Sequence, residues 1–195
     1  MRRIFLGLLL AVSALGCWPA CGQRVGVKTN VLSDAFSNVN IGVEVGLAPR
    51  WTFEILGDYN GWTMSGGRKW KHWLAEPAVR YWFCDRFAGH FIGMHALGGQ
   101  YNIGGLKNGV SFLGTDFSLL STRRYQGWCA GAGVLYGYAW ILGKHWNLEA
   151  ELGVGWVYTR YDAYPCSSCG MRLEHDRPHH YIGPTRAGIN LVYVF

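Results

Sequence analysis

Residues 125–142 alternate with a period of two along the whole stretch. Trp128, Ala130, Ala132, Val134, Tyr136, Tyr138 and Trp140 share one parity; Gly127, Gly131, Gly133 and Gly137 share the other. Successive side chains of a strand point to opposite faces, so this stretch reads as a strand with one bulky apolar face and one nearly bare face. The pattern recurs. In residues 38–47, Val39, Ile41, Val43, Val45 and Leu47 oppose Asn40, Gly42, Glu44 and Gly46. In residues 146–158, Trp146, Leu148, Ala150, Leu152, Val154 and Trp156 alternate with Asn147, Glu149, Glu151, Gly153 and Gly155. A chain written this way must build a sheet that separates two very different environments.

The same reading extends to eight strands, at about 24–32, 38–47, 51–62, 71–83, 90–101, 125–142, 146–158 and 181–195. Pro77 lies inside the fourth and predicts a bulge or weak pairing there. The fifth alternates poorly, and its faces are not assignable from the sequence. Connections after the second, fourth and sixth strands are short. The others are longer, above all 103–124 and 162–180. Short turns at one end and long loops at the other fit a bacterial outer-membrane barrel.

Composition bears on which environment meets the apolar face. Hydrophobic residues make up 50% of the chain and charged residues 15%, with 28 Gly, 10 Trp and 11 Tyr. A soluble domain carries about 25% charge. The apolar parity holds too many large aromatics for the inside of a small barrel, whereas the Gly-and-charge parity suits a narrow lumen. Trp51, Trp140 and Trp146 near short turns, and Trp62, Trp73 and Trp128 near long loops, predict two interfacial girdles. A soluble barrel with its apolar parity inward is the alternative that these features oppose. No segment has the 18 or more apolar residues of a membrane-spanning helix. The fold expected is therefore all-β: an eight-stranded antiparallel up-and-down transmembrane β-barrel.

Residues 1–22 read as a signal peptide, with Arg2 and Arg3 before an apolar core and Ala20-Cys21-Gly22 as the cleavage site; residues 23–195 form the barrel. Lipidation at Cys17 is the competing reading. Loss of Arg2 and Arg3 lowers the net charge from +6 to +4, spread without a basic run, which argues against nucleic acid as a partner. The last residues alternate Ile189, Leu191, Tyr193 and Phe195 and end the chain on an aromatic ring. Such a terminus resembles the assembly signal that the barrel assembly machinery reads on outer-membrane barrels, and that resemblance implies a C-terminus at the periplasmic end.

The expected lumen holds Lys28, Glu44, Glu54, Asp58, Glu76, Arg80, Glu149, Glu151 and Arg186. Charges of both signs in a narrow space must pair or hold water. An eight-stranded barrel has room for little beyond its own side chains, which favours a salt-bridged plug over a narrow ion or small-solute pore. Cys166 and Cys169 form a C-x-x-C pair followed by His175, His179 and His180. A small loop disulfide is the expectation; the same residues are the candidates for a soft metal, although the spacing is short for a zinc module. Cys84 and Cys129 fall at opposite barrel ends and should not pair. An outer-membrane enzyme acting on lipid would draw on Ser111, Ser118 or Ser121 with His72 or His95, but no nucleophile motif accompanies them. No cofactor and no enzymatic activity are expected.

Residues 27–32 (VKTNVL), 40–47 (NIGVEVGL), 51–62 (WTFEILGDYNGW), 69–83 (KWKHWLAEPAVRYWF) and 89–105 (GHFIGMHALGGQYNIGG) together resemble a family of uncharacterised Bacteroidota outer-membrane barrel proteins. That family is a domain of unknown function distantly similar to the OmpA-type barrel. The resemblance implies a cell-surface location in the outer membrane, an accessory role, and for some members a link to fimbria-type surface systems. It supplies no catalytic residues. The function expected is structural or interactive: a barrel in outer-membrane lipid that presents loops 103–124 and 162–180 to a surface or fimbrial partner. A pore is the alternative, and a lipid-modifying enzyme the third.

Overall fold

The computed structural model describes residues 24–62, 69–105, 123–165 and 171–195, with the backbone of 111–112 and 115–116. The signal segment therefore lies outside the described residues, as do Cys166 and Cys169. Eight long strands appear in chain order: β1 (Val25–Asn30), β2 (Val39–Ala48), β3 (Trp51–Asn60), β4 (Lys69–Trp82), β5 (Gly89–Gly104), β8 (Arg124–Ile141), β9 (Trp146–Tyr164) and β10 (Glu174–Val194). Two short strands, β6 (Ser111–Phe112) and β7 (Thr115–Asp116), pair with each other inside the β5–β8 connection.

Each long strand pairs antiparallel with its chain neighbour, and the sheet closes into a barrel when β1 pairs with β10 from Gly26 opposite Val194 to Asn30 opposite Asn190. Closure removes both sheet edges. Short turns join β2 to β3, β4 to β5 and β8 to β9 at one end, the turn end. The remaining connections lie at the other, the loop end.

Two expectations change, and a third resolves to one of its alternatives. The first strand stops at Asn30, where its side-chain oxygen accepts from Leu32 N at 3.0 Å and caps a single helical turn, α1 (Val31–Ala35). The segment 162–180 is mostly strand: β9 runs to Tyr164 and β10 starts at Glu174, so the hairpin reaches well beyond the expected loop boundary. Of the bulge or weak pairing expected at Pro77, the structure shows the weak pairing. The ladder to β3 is continuous, but pairing to β5 lapses between Ala75 opposite Gly98 and Ala78 opposite His95 with the register kept. A residue without an N–H interrupts bonding on one side only. Register shifts fall instead at Gly46/Ala48, at Glu174/Arg177 and at Pro184/Arg186.

The two faces separate as the alternation requires. Inward residues are buried along β3, residues 40–44 of β2, 76–82 of β4 and 147–153 of β9, whereas Ile41, Phe53, Ile55, Ile92, Met94, Val134, Leu152, Val154 and Ile189 stand exposed on the outside. Large rings flank this aliphatic band. Trp51, Phe83, Trp140 and Trp146 mark the turn end; Tyr59, Trp73, Trp128 and Trp156 mark the loop end. Tyr193 joins the first group, stacking edge-on to Trp146 at 5.0 Å and to Phe195 at 4.9 Å. The fifth strand owes its poor sequence alternation to Phe91 and His95 facing inward while His90 and Gln100 face outward.

Candidate functional site

The interior is built in two layers. At the turn end, Trp82, Phe87, Phe91, Leu135, Val192 and Val194 pack into one buried apolar cluster. Phe87 belongs to the β4–β5 turn. It adopts a positive φ of 64°, and its carbonyl accepts from Asn147 Nδ2 at 2.7 Å. That backbone conformation is uncommon for a non-glycine residue; here it turns the ring into the barrel mouth, 6.0 Å from the Trp82 ring. Trp82 also donates its indole N–H to Thr52 Oγ1 at 2.9 Å. The turn end is therefore stoppered by side chains.

Above that stopper lies the charge layer. Lys28 Nζ bonds Glu44, Glu54 at 2.6 Å and Glu149 at 2.9 Å. Arg80 reaches four carboxylates: Glu44 at 3.2 Å, Glu54 at 2.5 Å, Glu149 at 3.1 Å and Glu151 at 2.7 Å. Arg186 pairs with Glu54 and with Glu151 at 2.9 Å. Asn190 Nδ2 donates to Glu151 at 2.8 Å. The side chains of Lys28, Glu44, Glu54, Arg80 and Glu149 have 0% accessibility. A water-filled channel passing them would leave them accessible, so this layer is a sealed cross-section.

The sequence explains how so much charge fits. A Cβ added at Gly42 would lie 2.7 Å from Lys28 Cγ, and one at Gly153 would lie 3.0 Å from both Arg186 Cβ and His95 Cε1. Bare glycine backbone on one strand makes room for a long side chain from the next. The network also satisfies a physical requirement. Each buried ion costs several kcal/mol to desolvate, and shared carboxylates around each cation offset that cost.

The nine expected lumen charges do not all converge. Seven form the layer just described. Asp58 sits nearer the loop end and bonds His72 Nε2 at 2.8 Å instead. Glu76 is peripheral, 3.8 Å from Arg186. The interior also holds His95, expected only as a candidate for lipid chemistry, and Thr185, which the sequence did not single out; their side chains bond at 2.9 Å inside the barrel. The bulge at Pro184/Arg186 puts Thr185 and Arg186 on the same side, which strict alternation forbids.

At the loop end the expected imidazoles go separate ways. His175 Nδ1 lies 3.0 Å from Asp162, and Arg172 bonds the same carboxylate at 3.0 Å. These partners and the backbone N–H of Asp176, the largest influence, pull the Asp162 carboxyl down to about 2. His180 stacks on Trp156 at 5.6 Å and accepts its indole N–H at 3.2 Å. Among the described residues no three His, Cys, Asp or Glu side chains gather as a ligand set for a metal ion. Cys84 and Cys129 are free thiols. Of the candidates for lipid chemistry, His72 is bound to Asp58 and His95 to Thr185. Ser118 and Ser121 lie outside the described residues, and Ser111 is described by its backbone alone.

The barrel's C-terminal residues alternate as expected. Ile189, Leu191, Tyr193 and Phe195 follow the outer face, while Val192 and Val194 enter the stopper. Phe195 N donates to Val25 O at 2.9 Å, so even the last residue is tied to β1.

A family described as "Protein of unknown function (DUF3575)" matches residues 4–195. No curated protein and no solved structure matches the chain. The protein belongs to the DUF3575 family.

Proposed function

We propose that the chain is exported through its 1–22 signal, closes as a transmembrane β-barrel in the bacterial outer membrane, and works without catalysis as an anchor that offers its loop end to a surface partner. One observation carries this reading: the fold buries its charge in a sealed inner layer and turns a band of exposed Ile, Val, Leu and Met outward, bounded by aromatic rings at both ends. A soluble protein rarely exposes a contiguous apolar surface of that extent, whereas a lipid bilayer requires it of a barrel. Ion-paired contents and the Phe87 stopper support a closed barrel over the narrow pore. The partner, a surface or fimbria-type assembly, meets the 103–124 and 162–180 regions, of which the second is a strand-supported hairpin.

Orientation is tested by single cysteines in a background where Cys84, Cys129, Cys166 and Cys169 are Ser. Met171→Cys, at an 89% exposed position, should react with an impermeant maleimide on intact cells, and Gly143→Cys at a short turn should not. Labelling of Gly143→Cys alone, or recovery of the protein in the soluble fraction, would overturn the placement. Planar-bilayer recording should show no steady conductance. Crosslinking from Met171→Cys that captures no protein would remove the partner from the proposal.

A further inference from the structure

The outer wall of β4, β5, β8 and β9 is layered in rows that follow the strand register. Nearest the loop end stand Lys69, Gly104, Arg124 and Tyr164; below them Lys71, Asn102, Gln126 and Asp162; then Trp73, Gln100, Trp128 and Arg160. A separate polar cavity of about 610 Å³ is the loop-end mouth of the barrel, lined from six strands, with inward Asn60, His72, Tyr101, Gly127 and Tyr161 among its residues. Lower on the outer wall of the same four strands, Val79, Met94, Val134 and Val154 line an apolar groove of about 670 Å³. Between the row of Trp73 and Trp128 and this apolar groove the wall is cut back to Ala75, Gly98 and Ala130 in one row and Pro77, Ala96 and Ala132 in the next. Trp156, Tyr158 and His180 stand along one side as a stacked ring cluster, with Tyr158 and His180 centred 5.1 Å apart.

This trough is open space and not tight packing. A Cβ on Gly98 would meet nothing nearer than 4.0 Å, and one on Gly57, opposite Ala75, nothing nearer than 3.9 Å. The next residue along, Gly99, faces inward, where a Cβ would collide with the Trp73 carbonyl. Inward glycines are therefore required by the fold, and the outward pair is not.

The upper outward rows are cationic where they are uncommitted. Asp162 is taken by Arg172 and His175, and Arg160 by Asp176 at 2.8 Å. No ion pair links Lys69 or Lys71 to another described residue, and the Arg124 guanidinium lies 4.2 Å over the Tyr164 ring. Trp73 donates its indole N–H to Gln100 at 3.3 Å, and Asn102 Oδ1 has no partner among the described residues. Planar amides between two indoles suit hydroxyl- and amide-bearing rings. The six residue steps from Trp73 to Val79 span about 20 Å of strand. At a barrel tilt of about 40° this is about 15 Å of depth, half of a hydrocarbon core of about 30 Å. The outward positions of β1 and β2 carry Val25, Val27, Thr29, Val39, Ile41, Val43, Val45 and Leu47, with no charge among them.

We infer that this wall seats one phosphorylated glycolipid of the outer leaflet: its phosphate against Lys69, Lys71 and Arg124, its sugar amides and hydroxyls at Gln100, Asn102 and Gln126 between Trp73 and Trp128, and an acyl chain down the trough. The inference rests on the membrane placement above and adds the lipid class and its seat.

The test is native mass spectrometry of the full mature chain released from phosphatidylcholine nanodiscs. The discs are doped with an acylated, bisphosphorylated glucosamine disaccharide, its dephosphorylated form, or phosphatidylglycerol. The phosphorylated glycolipid should remain bound, the other two largely depart. Replacing both Lys69→Gln and Lys71→Gln should lower retention about tenfold. Filling the trough with Gly98→Phe and Ala132→Phe should lower it as well, while strand content and unfolding midpoint stay unchanged. Equal retention of all three lipids, or full retention by the filled trough, overturns the seat. Phosphatidylglycerol held as tightly as the glycolipid means charge alone is recognised and overturns the sugar contacts. A correctly inserted protein that retains no lipid refutes this inference alone; a protein that does not enter discs refutes the membrane placement and this seat with it.

Discussion

The two faces of β4 differ completely across a single residue step. Arg80 points inward, has no accessibility and touches four carboxylates; Val79 and Tyr81 on either side face outward and line an apolar groove. The inner face is specified by pairing, because each charge there depends on a named partner. The outer face is specified by character alone, because any side chain compatible with an apolar surround would serve. Substitutions should therefore be costly inside for loss of a partner, and costly outside only for a change of polarity.

The largest effect belongs to the inner face. Arg80→Met leaves Glu44, Glu54, Glu149 and Glu151 short of their shared cation, and should destabilise the barrel by about 3–5 kcal/mol in denaturant unfolding from detergent. Adding Glu44→Gln and Glu149→Gln to Arg80→Met should recover part of that loss. If Arg80→Met unfolds like the parent, the layer is not a network.

Phe87→Ala, in the stopper, follows at about 3 kcal/mol, the usual cost of removing a buried ring, with the barrel still non-conducting because the ionic layer above it is intact. Steady current through this variant would show that the stopper, and not the charge layer, closes the lumen.

On the outer face, Val134→Arg places a charge in the middle of the aliphatic band. It should cost about 2–4 kcal/mol for folding into lipid vesicles. At a position 56% exposed, the same change in a water-facing wall would cost almost nothing, so this variant breaks the comparison most directly. By contrast, Ala132→Phe at the trough keeps the polarity and should change stability by less than about 0.5 kcal/mol.

The smallest effect lies at the loop end, beyond both faces. Asp162 is held in its charged form by the Asp176 N–H, His175 and Arg172, so its folded value is depressed to about 2. The local stabilisation is complete above the unfolded carboxyl value of about 3.9 and is lost as pH falls from there through about 2. Amide exchange at Asp176, whose N–H bonds Asp162 at 2.8 Å, should accelerate across that window and be flat in Asp162→Asn.

The girdle tryptophans, the parity of β2, β3, β8 and β9, and the inward set of Lys28, Glu44, Glu54, Arg80, Glu149, Glu151 and Arg186 are all visible in the sequence as a period of two. Three things were not legible, each because a local device outweighs the period. Asn30 caps a helical turn and cuts β1 short. The hairpin of β9 and β10 extends past Tyr158 because strand pairing tolerates Arg160, Asp162, His179 and His180 where their own side chains are not buried. Thr185 turns inward because the bulge shifts parity by one, so its bond to His95 falls outside any alternating pattern.

The sequence by itself determined which residues face in and which face out, since side-chain direction along a strand is fixed by backbone geometry. It also determined the strand count and the short-turn end. Only the tertiary structure decided partners. Arg80 meets Glu149 and Glu151 from a strand some seventy residues away, and Trp82 meets Phe87 and Phe91 across a turn. The outward small residues of β4, β5 and β8 align into one trough only when register places Ala75 opposite Gly98 and Gly98 opposite Ala130. Alternation repeats every second residue and carries no information on which strand lies beside which; ring closure and register supply that, and they are properties of the whole sheet.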